Sequence, residues 1–311
     1  MAGVLGITAP IFLVILIGYG AVKSRIISPS AVPEIGRVVL YFTLPALIFS
    51  NLATMRLDEV IDGAYISAYA LGSLATLLIA MLFFKMIRGN PLAESGVKAL
   101  GTAVPNSVFI GYPVLEQVFS EVATQAFMMS VIVENILLIP LALITIEYAK
   151  SQENSHAAGQ AWKPVLQRLI RNPILMAIFA GLSVSALSLP VPDVALFSLD
   201  ILGKASAALA LFVIGGSLVG NEVRGNLTDI GLVMSGKLTL HPLILALVAW
   251  MLPTSDPALT TCAILMAAMP MMSIFPIIGS NYGFGQLCAS ILVATTTLSF
   301  FTISLAMYLL L

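Results

Sequence analysis

The chain has 311 residues, 59% of them hydrophobic and 9% charged, with a net charge of -1 and a mean hydropathy of +1.04. A water-soluble domain carries about a quarter charged residues, so composition excludes a soluble globule and points to an integral membrane protein with no basic surface for nucleic acid. Cys262 and Cys288 both lie in apolar stretches and read as small buried hydrophobes, so neither a disulfide framework nor a metal site is expected.

Apolar segments of about 17 to 25 residues can cross the hydrocarbon core as helices. Ten are expected, near residues 4–22, 35–54, 64–87, 95–118, 123–148, 172–190, 194–220, 229–252, 257–281 and 285–311. The first starts almost at Met1 and is followed by Lys23 and Arg25, the pattern of an uncleaved span whose start faces out. That orientation places Lys85, Arg88, Lys98, Lys150, Lys163, Arg168, Arg171 and Arg224 in or beside cytoplasmic loops and leaves Arg56 outside. Both termini are then expected outside.

Span four contains Pro105-Asn106-Ser107-Val108-Phe109-Ile110-Gly111-Tyr112-Pro113, and span nine contains Pro270-Met271-Met272-Ser273-Ile274-Phe275-Pro276. A proline inside a helix removes a backbone hydrogen bond and clashes with the preceding turn. Freed backbone groups at bilayer depth are tolerable only around a protein-lined cavity. Two such breaks at matching places predict a pair of discontinuous helices that frame a substrate site near the midplane.

Only residues 150–171 are long and polar enough to be a linker, expected in the cytoplasm. It separates a first five-span unit, 1–149, from a second, 172–311. Five spans per unit make the two units enter the membrane from opposite sides, the condition for an inverted repeat. A trace of shared sequence supports the pairing. Pro10-Ile11 matches Pro173-Ile174, Ser107-Val-Phe109 matches Ser273-Ile-Phe275, and Ser130-Val-Ile-Val133 matches Ser290-Ile-Leu-Val293.

Several further stretches stand in a characteristic order. They are Leu44-Pro45-Ala46 with Phe49-Ser50-Asn51-Leu52, Asn106 to Pro113, Arg171-Asn172-Pro173-Ile174, Ala208 to Gly215, Lys237-Leu238 with His241-Pro242, and Asn281-Tyr282-Gly283. In these the chain resembles the auxin efflux carrier family, which includes malonate transporter-like permeases and is similar in fold to the plant PIN transporters. The resemblance implies an all-α membrane fold of ten helices in two inverted five-helix repeats, with broken helices four and nine crossing at mid-membrane. It also implies scaffold helices 1, 2, 6 and 7, transport helices 3–5 and 8–10, and organic anions, chiefly carboxylates such as malonate, as substrates. The paired prolines of the plant relatives are only approximated by Pro105/Pro113 and Pro270/Pro276.

A broken helix presents unsatisfied N–H groups with partial positive charge. A carboxylate is therefore expected between Asn106-Ser107 and Ser273, within a lining of Pro105, Phe109, Gly111, Tyr112, Pro270 and Pro276. Capping of the helix end by Asn106 and Ser107 themselves is the alternative. Lys237 lies about nine residues, roughly 14 Å, into span eight. It could meet the substrate, pair with Glu134 of span five, or contact carbonyls freed at a break. His241 follows one turn later and is read as a packing residue that could also relay protons. Asn51 could reach the crossing from the scaffold side or act as helix-to-helix glue, and Asp200 and Lys204 are spaced to pair.

No catalytic triad or phosphate-binding loop is present. The expected activity is secondary transport in a bacterial cytoplasmic membrane without a cofactor, coupled to protons or sodium, with a homodimer through the scaffold helices as the expected assembly. A sodium-coupled symporter of the bile-acid type and a non-transporting membrane enzyme or sensor are the rivals.

Overall fold

The computed structural model describes residues 2–54, 61–119, 122–153, 170–220, 226–252, 254 and 256–311. Arg56, Lys163, Arg168, Arg224 and most of the 150–171 linker lie outside the described residues, and with them much of the charge pattern used for orientation. The described residues are helical apart from turns and one isolated backbone bridge.

In chain order the helices are α1 (Ala2–Lys23), α2 (Ala31–Thr54), α3 (Gly63–Ile87), α4 (Leu92–Ala103), α5 (Tyr112–Val118) and α6 (Ala123–Lys150). Then follow α7 (Pro173–Ala186), α8 (Asp193–Ser217), α9 (Leu227–Met251), α10 (Pro257–Ala268), α11 (Phe275–Asn281) and α12 (Gly285–Leu310). Six of them, α2, α3, α6, α8, α9 and α12, are long and apolar enough to cross a membrane. Shorter apolar helices span Ala9–Lys23, Pro173–Ala186 and Pro257–Ala268.

Caps set several starts. Asp62 accepts from Tyr65 N at the head of α3, Asn172 from Ile174 N and Leu175 N at α7, Asn226 from Thr228 N and Asp229 N at α9, and Asp256 from Ala258 N at α10. Each satisfies a donor that the first helical turn leaves without a partner.

Wide π turns occupy Val39–Thr43, Phe83–Ile87, Ser107–Gly111, Glu134–Leu138 and Gly236–Leu240. Four of them share one cause. Pro45, Pro113, Pro140 and Pro242 each stand two residues beyond the end of such a turn. A proline has no N–H for the carbonyl four residues back, and its ring collides with that carbonyl. Widening the preceding turn by one residue moves the carbonyl aside without ending the helix.

The helices gather in two packed groups. In one, α1 lies along the second half of α8, and α2 lies against α7 and the first half of α8. Glycine permits the closest approach. A Cβ on Gly215 would overlap the Ile15 carbonyl, and one on Gly18 would overlap the Phe212 carbonyl. In the other group α3 packs on α4 and α9, α4 on α6, α9 on α10, and α11 on α12. The segment from Ser107 to Val118 contacts α1 and α8, so it bridges the two groups.

Candidate functional site

The helical run ends at Ala103 and resumes at Ser107, and a second run ends at Ala268 and resumes at Phe275. The two gaps lie side by side as a short antiparallel pair centred on Pro105 and Met271. Asn106 N donates to the Pro270 carbonyl at 2.7 Å, and Met272 N donates to the Val104 carbonyl at 3.3 Å. Each break thereby satisfies backbone groups of the other. Their side chains meet as well, since Asn106 Nδ2 donates to Ser273 Oγ at 2.7 Å. Asn106 Oδ1 accepts from Phe109 N at 3.1 Å, and the Asn106 carbonyl accepts from Gly111 N at 2.8 Å. Asn106 therefore caps its own helix and also ties the two breaks together.

The prolines of each break have separate tasks. Pro105 and Pro270 sit in the non-helical gaps, Pro276 falls in the first turn of α11, where a missing N–H costs little, and Pro113 follows the wide turn at Ser107–Gly111 that it shapes. This corrects the expectation that all four interrupt the helices. Tyr112 turns to Glu116, donating to Oε1 at 3.0 Å, and its ring lies tilted against Phe127 at 5.1 Å. A Cβ on Gly111 would strike the Met266 sulfur, so glycine allows the chain after the first break to lie against α10.

Ser107 is turned the other way. Its hydroxyl donates to Glu134 Oε1 at 2.5 Å, and Tyr69 OH donates to the same oxygen at 2.8 Å. Tyr65 OH and Ser130 Oγ are 2.7 Å apart one turn away, with the Tyr65 and Tyr69 rings stacked at 5.8 Å. Glu134 opens the π turn of α6 and is only 4% exposed. Its neighbour Asn135 accepts at Oδ1 from Asn172 Nδ2 at 2.9 Å, which links α6 to the cap of α7.

Lys237 lies in the π turn of α9 and is fully buried. Its ammonium donates to the Ala267 carbonyl at 2.6 Å and stands 2.8 Å from His241 Nδ1. Ala267 is in the last turn of α10, where carbonyls lack intrahelical partners and the helix dipole is negative. Lys237 and Glu134 form no ion pair. Of the three partners open to Lys237 in the sequence, the carbonyl freed at a break is the one that the geometry supplies. His241 Nε2 is 3.0 Å from Ser73 Oγ. With Nδ1 accepting from Lys237, Nε2 carries the proton and donates to Ser73.

Helix α3 organises both clusters. Tyr65, Tyr69 and Ser73 recur every four residues on one face, which lines them up along the helix, and they reach Ser130, Glu134 and His241 in turn. None of the three is among the residues expected at the site, although three hydroxyls at that spacing in an apolar span are a readable signal.

Asn51 lies elsewhere. It donates to the Leu47 carbonyl at 2.8 Å and lines a cleft of about 430 Å³ with Ser50, Thr54, Asp193, Phe197 and Asp200. Asp200 pairs with Lys204 at 2.6 Å, as the spacing predicts, on an exposed face. Lys98, expected in or beside a cytoplasmic loop at the start of span four, is turned inward there. It is buried in α4, with Nζ 2.6 Å from Glu94 and 2.9 Å from Asp229, and Arg88 stands 3.5 Å from Asp229.

The sequence has known relatives. Residues 4–307 match the family model described as "Membrane transport protein". The chain belongs to the membrane transport protein family. This membrane transport protein is 26% identical over 307 residues to the "Putative malonate transporter" of Rhizobium meliloti, covering 96% of the present chain and 92% of that one. It is 23% identical over 309 residues to auxin efflux carrier component 5 of Arabidopsis thaliana, covering 88% and 87%. The lysosomal cholesterol signaling protein of Mus musculus is 25% identical over 245 residues, 75% of this transport protein but 28% of that relative. The transport protein is thus a multi-pass membrane protein in which two broken helical segments meet.

Proposed function

We propose that the protein is a secondary active transporter of a small organic anion, a carboxylate such as malonate, in a bacterial cytoplasmic membrane. In this reading ten transmembrane segments form two inverted five-helix repeats, with both termini outside. Helices α1, α2, α7 and α8 act as the scaffold, and the remainder carries the substrate across in an elevator-like motion. The carrying observation is the meeting of the two breaks at Asn106 and Ser273, 2.7 Å apart. Peptide donors in a broken membrane helix favour an anion, and Asn106 and Ser273 exchange their mutual hydrogen bond for bonds to a carboxylate. Glu134 and Lys237, one linked to each break, are the coupling groups, with His241 behind Lys237.

The malonate relative supports the substrate class. Purified protein in liposomes should take up labelled malonate or a comparable small carboxylate and bind it with an affinity that depends on Asn106. Uptake without any contribution from Asn106 would remove this site, and a folded protein inert toward a carboxylate panel would remove the substrate class.

A further inference from the structure

The charges buried around the crossing can be counted. Lys98 is accounted for by Glu94 and Asp229, with Arg88 as the second cation, so that cluster holds two charges of each sign. Around the crossing itself the described residues contribute Glu134 and Lys237. His241 adds none while Lys237 donates to its Nδ1, because an imidazolium would set an N–H against the ammonium at 2.8 Å. With Lys237 and Glu134 both ionised, the empty crossing is neutral.

An anion entering this buried place changes the sum. One negative charge leaves an excess of one unless a proton comes with it, and a low-dielectric site penalises uncompensated charge heavily. Glu134 is built to take that proton. Tyr69 and Ser107 both address Oε1, leaving Oε2 as the oxygen to protonate while both donors stay in place. The other groups near Glu134 are Tyr65 on α3, Ser130 on its own helix, Lys237 on α9 and the Cys262 thiol of α10 beside Tyr65. A dianion would keep an excess charge even with Glu134 protonated, since no second cation is available there among the described residues.

We infer that the crossing accepts its substrate as a monoanion, a carboxylate with one net negative charge or the half-protonated form of a dicarboxylate, together with one proton on Glu134 Oε2. The inference rests on the reading of the crossing as an anion site. Proton and anion leave together on the other side, so each transport step moves one H⁺ and one negative charge and is electrically silent. Ser107 couples the two, because it stands next to Asn106 in the break and donates to the carboxyl that takes the proton.

The test uses full-length protein in liposomes with two probes, malonate and its monomethyl ester, a fixed monoanion. Ester uptake should be unmoved by a potassium–valinomycin potential in the native protein and should follow the potential in Glu134→Gln, which carries no proton. Ester binding to Glu134→Gln should be independent of pH. Malonate binding to the same variant should fall about tenfold per pH unit above its second ionisation, as the monoanion fraction does.

Potential-driven ester uptake by the native protein, or pH-independent malonate binding to Glu134→Gln, overturns the inference. The native measurement decides alone if that variant does not fold. Ester binding unchanged in folded Asn106→Ala instead overturns the site, as does a native protein that binds neither probe, and the inference falls with it.

Discussion

The two breaks occupy matching places but are served by side chains at opposite ends. After the first, the chain must satisfy N–H groups at the start of a helix, and Asn106 does so with its own side chain. Before the second, it must satisfy carbonyls at the end of α10, and a lysine from another helix does so. The second break has no side-chain cap of its own at Ile274, and Ser273 accepts from Asn106. A polar amide thus serves the positive end at the first break and a buried cation the negative end at the second, each matched in sign to the peptide dipole it meets.

The comparison is broken most severely at Lys237. Lys237→Met removes the charge while roughly keeping the volume, so transport should fall by at least about a hundredfold, or ~2.7 kcal/mol, with folded protein still recovered. Transport assays beside size-exclusion profiles check this, and loss of folded protein would instead make the lysine purely structural. Asn106→Ala should come next, weakening carboxylate binding by about 1 to 3 kcal/mol because the Phe109 N–H and Ser273 lose their partner together. Titration calorimetry measures it.

Pro140→Ala sharpens the comparison from a distance. Restoring an N–H at position 140 allows the wide turn at Glu134–Leu138 to tighten, which re-aims Glu134 away from Ser107. Transport should drop by about tenfold, ~1.4 kcal/mol, with thermal stability unchanged or raised, since an interior helical proline is itself unfavourable. The smallest effect belongs to Ser273→Ala, about 0.5 to 1.5 kcal/mol in binding for one neutral hydrogen bond. An effect equal to that of Asn106→Ala would show that the breaks contribute alike and would end the asymmetry.

Much of this was legible in advance. The apolar runs and the prolines at 105 and 270 carry the membrane class and the positions of the breaks, because those signals are local. The partners of Lys237 were not legible, since a lysine in span eight gives no sign of whether a carboxylate or a carbonyl will face it. The burial of Lys98 was hidden for a related reason. Glu94 is visible four residues earlier, but Asp229 comes from the other half of the chain, and without it a lysine near a span end reads as a charge beside a loop. The wide turns at 134–138 and 236–240 were within reach, had Pro140 and Pro242 been read as shaping the turn before them.

Glu134 and Asn135 are consecutive residues on one such turn, and they face different parts of the molecule. One is held by Ser107 beside the first break and the other by Asn172 at the head of α7. Any rewinding of the turn by a single residue swings both side chains through about 100° around the α6 axis. In the proposed transport motion, letting go of the carboxylate's grip on the break and disengaging α6 from α7 are then one mechanical event, and the turn acts as a clutch whose slack is the extra residue that Pro140 forces into it.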